Sequence, residues 1–312
     1  MKKYLLKRIL QLPLILFGVL VCVFLIIQLT PGDPAATLAG PGATPEQVEL
    51  IREDMGLNKP LLQQFTDYVK NILHGDFGRS YIRRTEISEG LLTAFLNTLY
   101  LVLFARVWSI LAAIPLGIAA AKHQNSFFDK LCMTGSMLGV SIPTFWLGLI
   151  LMYFFSFKLG WLPLSGMGHP LWSWNGIRHV ILPAFILGLP QVATLARLTR
   201  SGMLEVMRQD YIRTARAKGL KQRSIIYKHA LKNAALPIIT VIGVQTGYML
   251  GGAVVVENIF SWPGFGRYSI TAIMGNDYPG IQASILLFAL LFLVINILVD
   301  IIYSFVDPRI KY

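Results

Sequence analysis

The sequence predicts an all-α, polytopic membrane protein with six transmembrane helices, and three observations carry that expectation. Hydrophobic residues make up 54% of the 312 and charged residues 14%, with a mean hydropathy of +0.58, against roughly 25% charged in soluble domains. Six apolar stretches, 9–30, 95–121, 133–157, 180–196, 234–256 and 282–305, approach or reach the roughly 20 residues that a helix needs to cross about 30 Å of hydrocarbon. Positive charge is distributed one-sidedly between them: with the N-terminus in the cytoplasm, that side holds eighteen Lys and Arg and the other side nine. Basic residues near span ends resist translocation, so both termini are expected inside. The net charge of +12 is thereby a topology signal, and no nucleic acid partner is expected.

The first stretch follows Lys2, Lys3, Lys7 and Arg8 and exceeds the apolar core of a signal peptide, so it reads as an uncleaved first helix. Thr30-Pro31-Gly32-Asp33-Pro34 stops that helix and opens an external segment of about sixty residues. Inside it, Thr44-Pro45-Glu46-Gln47 is an N-cap, a first-turn proline and an acidic first turn, leading to Val48, Ile51 and Met55 at helical spacing. A second run, 61–73, places Leu61, Phe65, Tyr68, Val69 and Ile72 on one face and ends near Gly75-Asp76-Phe77-Gly78. These form an amphipathic cap on the outer surface. The domain division expected from the chain is 1–92 for the first helix and cap, 93–306 for a five-helix core and 307–312 for a cytoplasmic tail.

Within the spans, Pro115, Pro143, Pro183, Pro190 and Pro237 each remove a backbone donor and favour kinks. Arg106, Asn296 and Asp300 are the polar outliers in the spans, and a charge at the bilayer centre is costly enough to face the bundle interior or water. Cys22 and Cys132 fall inside spans and read as small hydrophobes. His74, His123, His169, His179 and His229 show no close ligand spacing, so no metal site is expected.

Segment 197–234 carries ten Lys and Arg against Glu205 and Asp210 between two apolar stretches. Its spacing predicts two amphipathic helices hinged at Gly219: Met203, Met207, Tyr211 and Ala215 form one stripe, and Leu220, Tyr227 and Leu231 a second beside Lys221, Lys228 and Lys232. Three readings are compatible with the pattern: a bracket on anionic headgroups, a topology anchor, or a docking element for a cytoplasmic partner.

Resemblance separates them. Asp210-Tyr211-Ile212-Arg213-Thr214-Ala215-Arg216-Ala217-Lys218-Gly219 resembles the cytoplasmic signature of importer permeases of the ATP-binding cassette (ABC) superfamily, in which Glu-Ala-Ala is followed after three residues by Gly. Here Arg213-Thr214-Ala215 stands for Glu-Ala-Ala, and Gly219 keeps its spacing. His229-Ala230-Leu231-Lys232-Asn233 with Leu236-Pro237, Pro31-Gly32-Asp33-Pro34, Ser141-Ile142-Pro143-Thr144-Phe145-Trp146, the segment from Glu257 to Arg267 and Asp307-Pro308-Arg309 are similar to the dipeptide and oligopeptide branch, and the long external segment resembles the first of its two permease subunits.

The resemblance implies a type I transmembrane domain that pairs with a second, related permease, two cytoplasmic ATPase subunits and an external solute-binding protein. No cofactor is expected on this chain. It has no Gly-x4-Gly-Lys-Ser/Thr loop, so ATP and Mg belong on the partner subunits and the chain is expected to be a transporter subunit, not an enzyme. The residues expected to couple to the ATPase are Asp210, Tyr211, Arg213, Thr214, Ala215, Lys218, Gly219 and Leu220, with Thr214, Ala215, Gly219 and Leu220 at the contact centre. Glu257, Asn258, Trp262 and Arg267 are expected to meet the binding protein, Trp262 equally fitting a headgroup interface. The expected cargo is a peptide. Nickel or a metal chelate is the alternative within the architecture, a secondary transporter would need intramembrane ion sites, and an intramembrane enzyme lacks a catalytic constellation.

Overall fold

The computed structural model describes the backbone of residues 2–29 and 32–306 and the side chains of 10–26, 28–29, 32–295 and 297. Pro31, the Asp307-Pro308-Arg309 motif and the side chains of Asn296 and Asp300 lie outside the described residues. In chain order the helices are α1 (Lys2–Leu29), α2 (Pro34–Ala39), α3 (Pro45–Asp54), α4 (Leu61–Leu73), α5 (Ile87–Lys122), α6 (Phe127–Ser141), α7 (Thr144–Leu151), α8 (Trp174–Met207), α9 (Asp210–Ala217), α10 (Gln222–Ser224), α11 (Leu231–Ile259), α12 (Phe265–Met274) and α13 (Tyr278–Val306). Wider π-helical turns continue α7 over Met152–Lys158 and join α10 to α11 over Ile225–Ala230. Among the described residues no strand forms beyond an isolated Arg79–Glu86 bridge.

Among the described residues, four helices are long and apolar enough to span: Ile87–Lys122, Trp174–Met207, Gln222–Ile259 and Tyr278–Ile295. The span expected at 133–157, with a kink favoured at Pro143, is a pair of helices, Phe127–Ser141 and Thr144–Lys158, bent by 100°. Proline supplies the reason. Ile142, preceding Pro143, is pushed to extended φ −77°, ψ 125°, and Pro143 has no N–H to continue the ladder. The described apolar part of the first helix is Leu10–Ile26, within the 28-residue α1. Pro115, Pro183, Pro190 and Pro237 sit inside unbroken helices, where neighbouring helices offset the lost bond.

The chain divides into two compact units, residues 1–97 with 264–294, and 98–263 with 295–312. In the first, the cap forms where the sequence places it. Thr44 accepts from the Gln47 N–H while the Gln47 side chain accepts from the Thr44 N–H, closing a capping box at α3. Phe65 of α4 meets Phe24 and Phe17 of α1 edge-on at centroid distances of 5.3 and 6.0 Å. Asp277, at the start of α13, accepts from the Ser80 hydroxyl and, at 3.0 Å, from the Tyr81 N–H, pinning the end of the cap. Ile87, Leu91, Ala94, Phe265, Tyr268 and Ala283 form the apolar core of this unit.

In the second unit, α5, α8 and α11 pack along one another. A Cβ at Gly188 of α8 would stand 2.8 Å from the Ala105 carbonyl oxygen of α5, and one at Gly252 of α11 would stand 3.6 Å from Leu187. Gly188 therefore sets how closely α5 and α8 approach, whereas a methyl at Gly252 would stand at ordinary contact distance. Leu101, Ala105, Val180, Ile186, Met249, Ala253, Phe260 and Trp262 belong to the core between them.

Candidate functional site

The basic segment is held by its own chain on one face and open on the other. α8 continues past the apolar stretch to Met207, and the helix breaks at Arg208 and Gln209 before α9 begins at Asp210. The single stripe expected over Met203, Met207, Tyr211 and Ala215 is therefore corrected: Met203 and Ala215 are buried, but Tyr211 is 43% exposed, and Ile212 is fully buried in its place. Two residues are lost from the helical phase at the break, which rotates the second half of the stripe. Ile212 and Ala215 pack with Ile118, Ala121, Met203, Ile225, Ile226, Ala230 and Ala234.

The second stripe is corrected in the same way. Leu220 and Tyr227 are exposed, while Ile225, Ile226 and Ala230 are buried. The π turn over Ile225–Ala230 adds a residue per turn and moves the buried face off the regular spacing. Beyond Gly219 there is no separate helix, because Gln222–Ile259 runs as one helical span.

Gly219 has φ +74° and closes α9. Its N–H donates to the Arg216 carbonyl at 2.9 Å and the Leu220 N–H to the Ala215 carbonyl at 3.3 Å, the paired bonds of a helix end that favours glycine in the left-handed region. A Cβ there would meet nothing within 4 Å. The remaining coupling candidates stand outward. Asp210, Arg213, Thr214 and Lys218 are exposed. Asp210 and Arg213 form a loose 3.6 Å pair, and the Thr214 hydroxyl donates to the Asp210 carbonyl. The Tyr211 hydroxyl accepts from Asn233 at 2.8 Å. Seven of the eight candidates thus share an accessible surface, and Ala215 does not.

A feature the sequence reading missed anchors the approach to this segment. Asp129, 2% exposed at the start of α6, accepts two hydrogen bonds from Arg200 of α8, at 2.5 and 2.6 Å, and one from the Asn125 N–H at 2.9 Å. Its signal in the sequence is a lone carboxylate between Lys122 and Lys130, and only the fold supplies its partner 71 residues away.

The external candidates separate. Glu257 is fully buried and accepts from the Thr98 hydroxyl, and Trp262 is fully buried and stacked on Tyr100 at 6.1 Å and 4°. Neither faces a headgroup or a docking protein. Their burial follows from α5 and α8 packing over the end of α11, which local sequence does not encode. Asn258 is exposed, its amide donating to the Val254 carbonyl at 2.7 Å, and Arg267 is half-buried in the first unit. Of the intramembrane polar residues, Arg106 is 7% exposed, and its Nε, Nη1 and Nη2 are enclosed without a hydrogen-bond partner.

Comparison with known proteins matches the chain to two family models, the binding-protein-dependent transport system inner membrane component over residues 113–312 and the N-terminal membrane component of the same systems over 1–101. The glutathione transport system permease protein GsiC of Salmonella typhimurium strain LT2 is 44% identical over all 312 residues of both chains, and that of Escherichia coli K12 is 43% identical over the same length. Among solved structures, an inward-facing MetNI methionine ABC transporter covers 70% of this chain and 96% of its own at 16% identity and a TM-score of 0.58. An amino acid ABC transporter covers 70% of this chain and 94% of its own at a TM-score of 0.51. At that identity these structures speak for the fold alone, a type I importer transmembrane domain. Full-length identity, both family models and the helical architecture agree, and the chain belongs to the binding-protein-dependent inner membrane components, as a permease subunit of an ABC importer of the dipeptide, oligopeptide and nickel family.

Proposed function

We propose that this permease carries peptides inward across the membrane, and that α9 with the Gly219 turn is where ATPase subunits grip it. The observation that carries the reading is an apolar and basic surface on a segment bathed by water: Tyr211, Leu220 and Tyr227 are 43%, 41% and 55% exposed among Arg213, Arg216, Lys218, Lys221 and Lys228. Large exposed apolar groups in such a place mark a protein contact, and the surrounding cations orient an acidic partner. The contact centre is Thr214, Gly219 and Leu220, with Ala215 supporting from beneath.

ATP and Mg bind the ATPase subunits in this reading, and this chain holds no cofactor. Closure of the ATPase pair displaces α9, and the unbroken helices α8 and Gln222–Ile259 carry that displacement into the membrane. Both termini lie in the cytoplasm, the cap and the exposed Asn258 lie outside toward the solute-binding protein, and the second permease is a related chain. Full-length similarity to glutathione permeases supports a peptide cargo, since glutathione is a tripeptide.

The test is purification of the tagged chain in detergent with identification of its companions, followed by uptake of a labelled tripeptide into proteoliposomes with and without ATP. Recovery of ATPase and permease subunits with ATP-dependent uptake is the expected result. Solute movement by the chain alone without ATP would replace this reading with a secondary transporter.

A further inference from the structure

One buried and two half-buried polar side chains in the membrane-spanning part of the second unit have no work in the coupling mechanism. Arg106 of α5 is 7% exposed with all three guanidinium nitrogens enclosed and unpartnered, and the enclosed Oε1 atoms of Gln191 in α8 and Gln245 in α11 also lack a hydrogen-bond partner.

The packing puts them near one level. Gly188 abuts the Ala105 carbonyl, so Arg106 and Gln191 lie one and three residues beyond a shared contact on helices running side by side. Gln245 falls between Ala234, which a Cβ at Gly202 of α8 would meet at 3.6 Å, and Gly252, which abuts Leu187, and Gln191 sits between those same two levels on α8. At about 1.5 Å per residue the three lie within roughly one helical turn in depth.

A buried guanidinium presents five donors and no acceptor, and it calls for an anion. The buried carboxylates described in this unit are engaged elsewhere, Asp129 with Arg200 and Glu257 with Thr98. Gln191 and Gln245 add amide acceptors and donors but no negative charge. A site that gathers these three side chains is net positive and complementary to a group that brings a carboxylate together with N–H donors. The planar fork of arginine fits a carboxylate bidentately, and a peptide offers both chemistries.

We propose that Arg106, with Gln191 and Gln245, forms an intramembrane receptor for a carboxylate of the transported solute, opened when α8 and α11 move with the coupling segment. This rests on the reading of the chain as a peptide-importing permease. α8 ends two residues before α9, and Gln245 lies on the continuous Gln222–Ile259 span, so the two glutamines ride on the helices that the ATPases displace. In the conformation described the guanidinium is closed off and unpaired. The solute carboxylate completes it in the alternate state.

The experiment uses the complete importer in proteoliposomes, a tripeptide with an isotope-labelled C-terminal carboxylate, and nitrogen-labelled arginine. Trapped with ATP and vanadate, the wild-type complex should show a solid-state NMR coupling between the solute carboxylate and a guanidinium, absent from Arg106→Lys. Arg106→Gln should lower tripeptide uptake about tenfold or more, as expected for loss of a charge-assisted contact, while loaded binding protein still stimulates ATP hydrolysis. Wild-type uptake with no such coupling, or unchanged uptake in Arg106→Gln, overturns the proposal. Equal loss in Arg106→Gln and in the Gln191→Leu, Gln245→Leu double variant without the coupling also overturns it, by showing that the three side chains serve only one another. Failure of the wild type to take up any tripeptide would instead sink the peptide reading.

Discussion

Replacing Asp129 by Asn tests whether the ion pair near the C-terminal end of α8 positions the proposed coupling segment. The carboxylate side chain is 3% exposed and Arg200 22%, and the two share two hydrogen bonds of 2.5 and 2.6 Å, with a third from the Asn125 N–H at 2.9 Å. Asn keeps one acceptor oxygen and turns the other into an amide donor facing either the guanidinium or the Asn125 N–H. Breaking a buried pair by removing one partner costs about 3–5 kcal/mol. Arg200 retains some access to water, so about 2–4 kcal/mol is expected here.

The loss falls on the attachment of the α5–α6 loop to α8, eight residues before Arg208, where α8 gives way to α9. Thermal melting of the detergent-solubilised importer should therefore drop for Asp129→Asn and for Arg200→Gln, and the double variant should be no worse than either alone, the signature of a shared interaction. In proteoliposomes, the amount of solute moved per ATP hydrolysed should fall more than the hydrolysis rate itself. Wild-type melting together with a wild-type coupling ratio in Asp129→Asn would refute the reasoning.

Gly219→Asp places a side chain where nothing lies within 4 Å, so its cost within the chain is that of φ +74° alone, about 1 kcal/mol. The variant should insert and melt close to wild type while uptake collapses, and unchanged uptake would remove α9 as the docking element. Gly188→Ala drives a methyl to 2.8 Å from the Ala105 carbonyl and should destabilise the α5–α8 contact by about 1–3 kcal/mol, read as lowered melting. The same change at the open Gly135 should leave packing untouched. In the cap, the hydrogen bond from Lys59 holds Asp67 below the ordinary carboxylate value of 3.8. A depressed value means that the contact is complete above the ordinary range and is lost as pH falls through the lowered one, so an NMR titration of the Asp67 carboxyl should give a midpoint below 3.8, and a higher midpoint would disprove the pairing.

Much of the architecture was legible because its determinants are local. Apolar length marks a span, Thr44 and Gln47 are three residues apart and close their own capping box, and the Leu61–Leu73 helix follows from side chains one turn apart. The coupling signature was legible as a resemblance, and its glycine has a local reason in the two carbonyls it helps to cap. Where the reading slipped, a short irregularity shifted the helical phase: two residues at Arg208 and Gln209 turned Tyr211 outward and Ile212 inward, Leu220 fell in the non-helical turn after Gly219, and a π turn left Tyr227 exposed.

By itself the sequence determined the long apolar stretches, the concentration of positive charge in 197–234, the cap helices, the proline break in the third stretch and the family, since hydrophobic length, charge, proline and capping act within a few residues. The tertiary structure alone decided that Glu257 and Trp262 are buried, that Asp129 meets Arg200, and that Arg106, Gln191 and Gln245 share a level. Those outcomes depend on which helices lie side by side and how closely their glycines let them approach, and periodicity along a chain carries no record of what stands opposite.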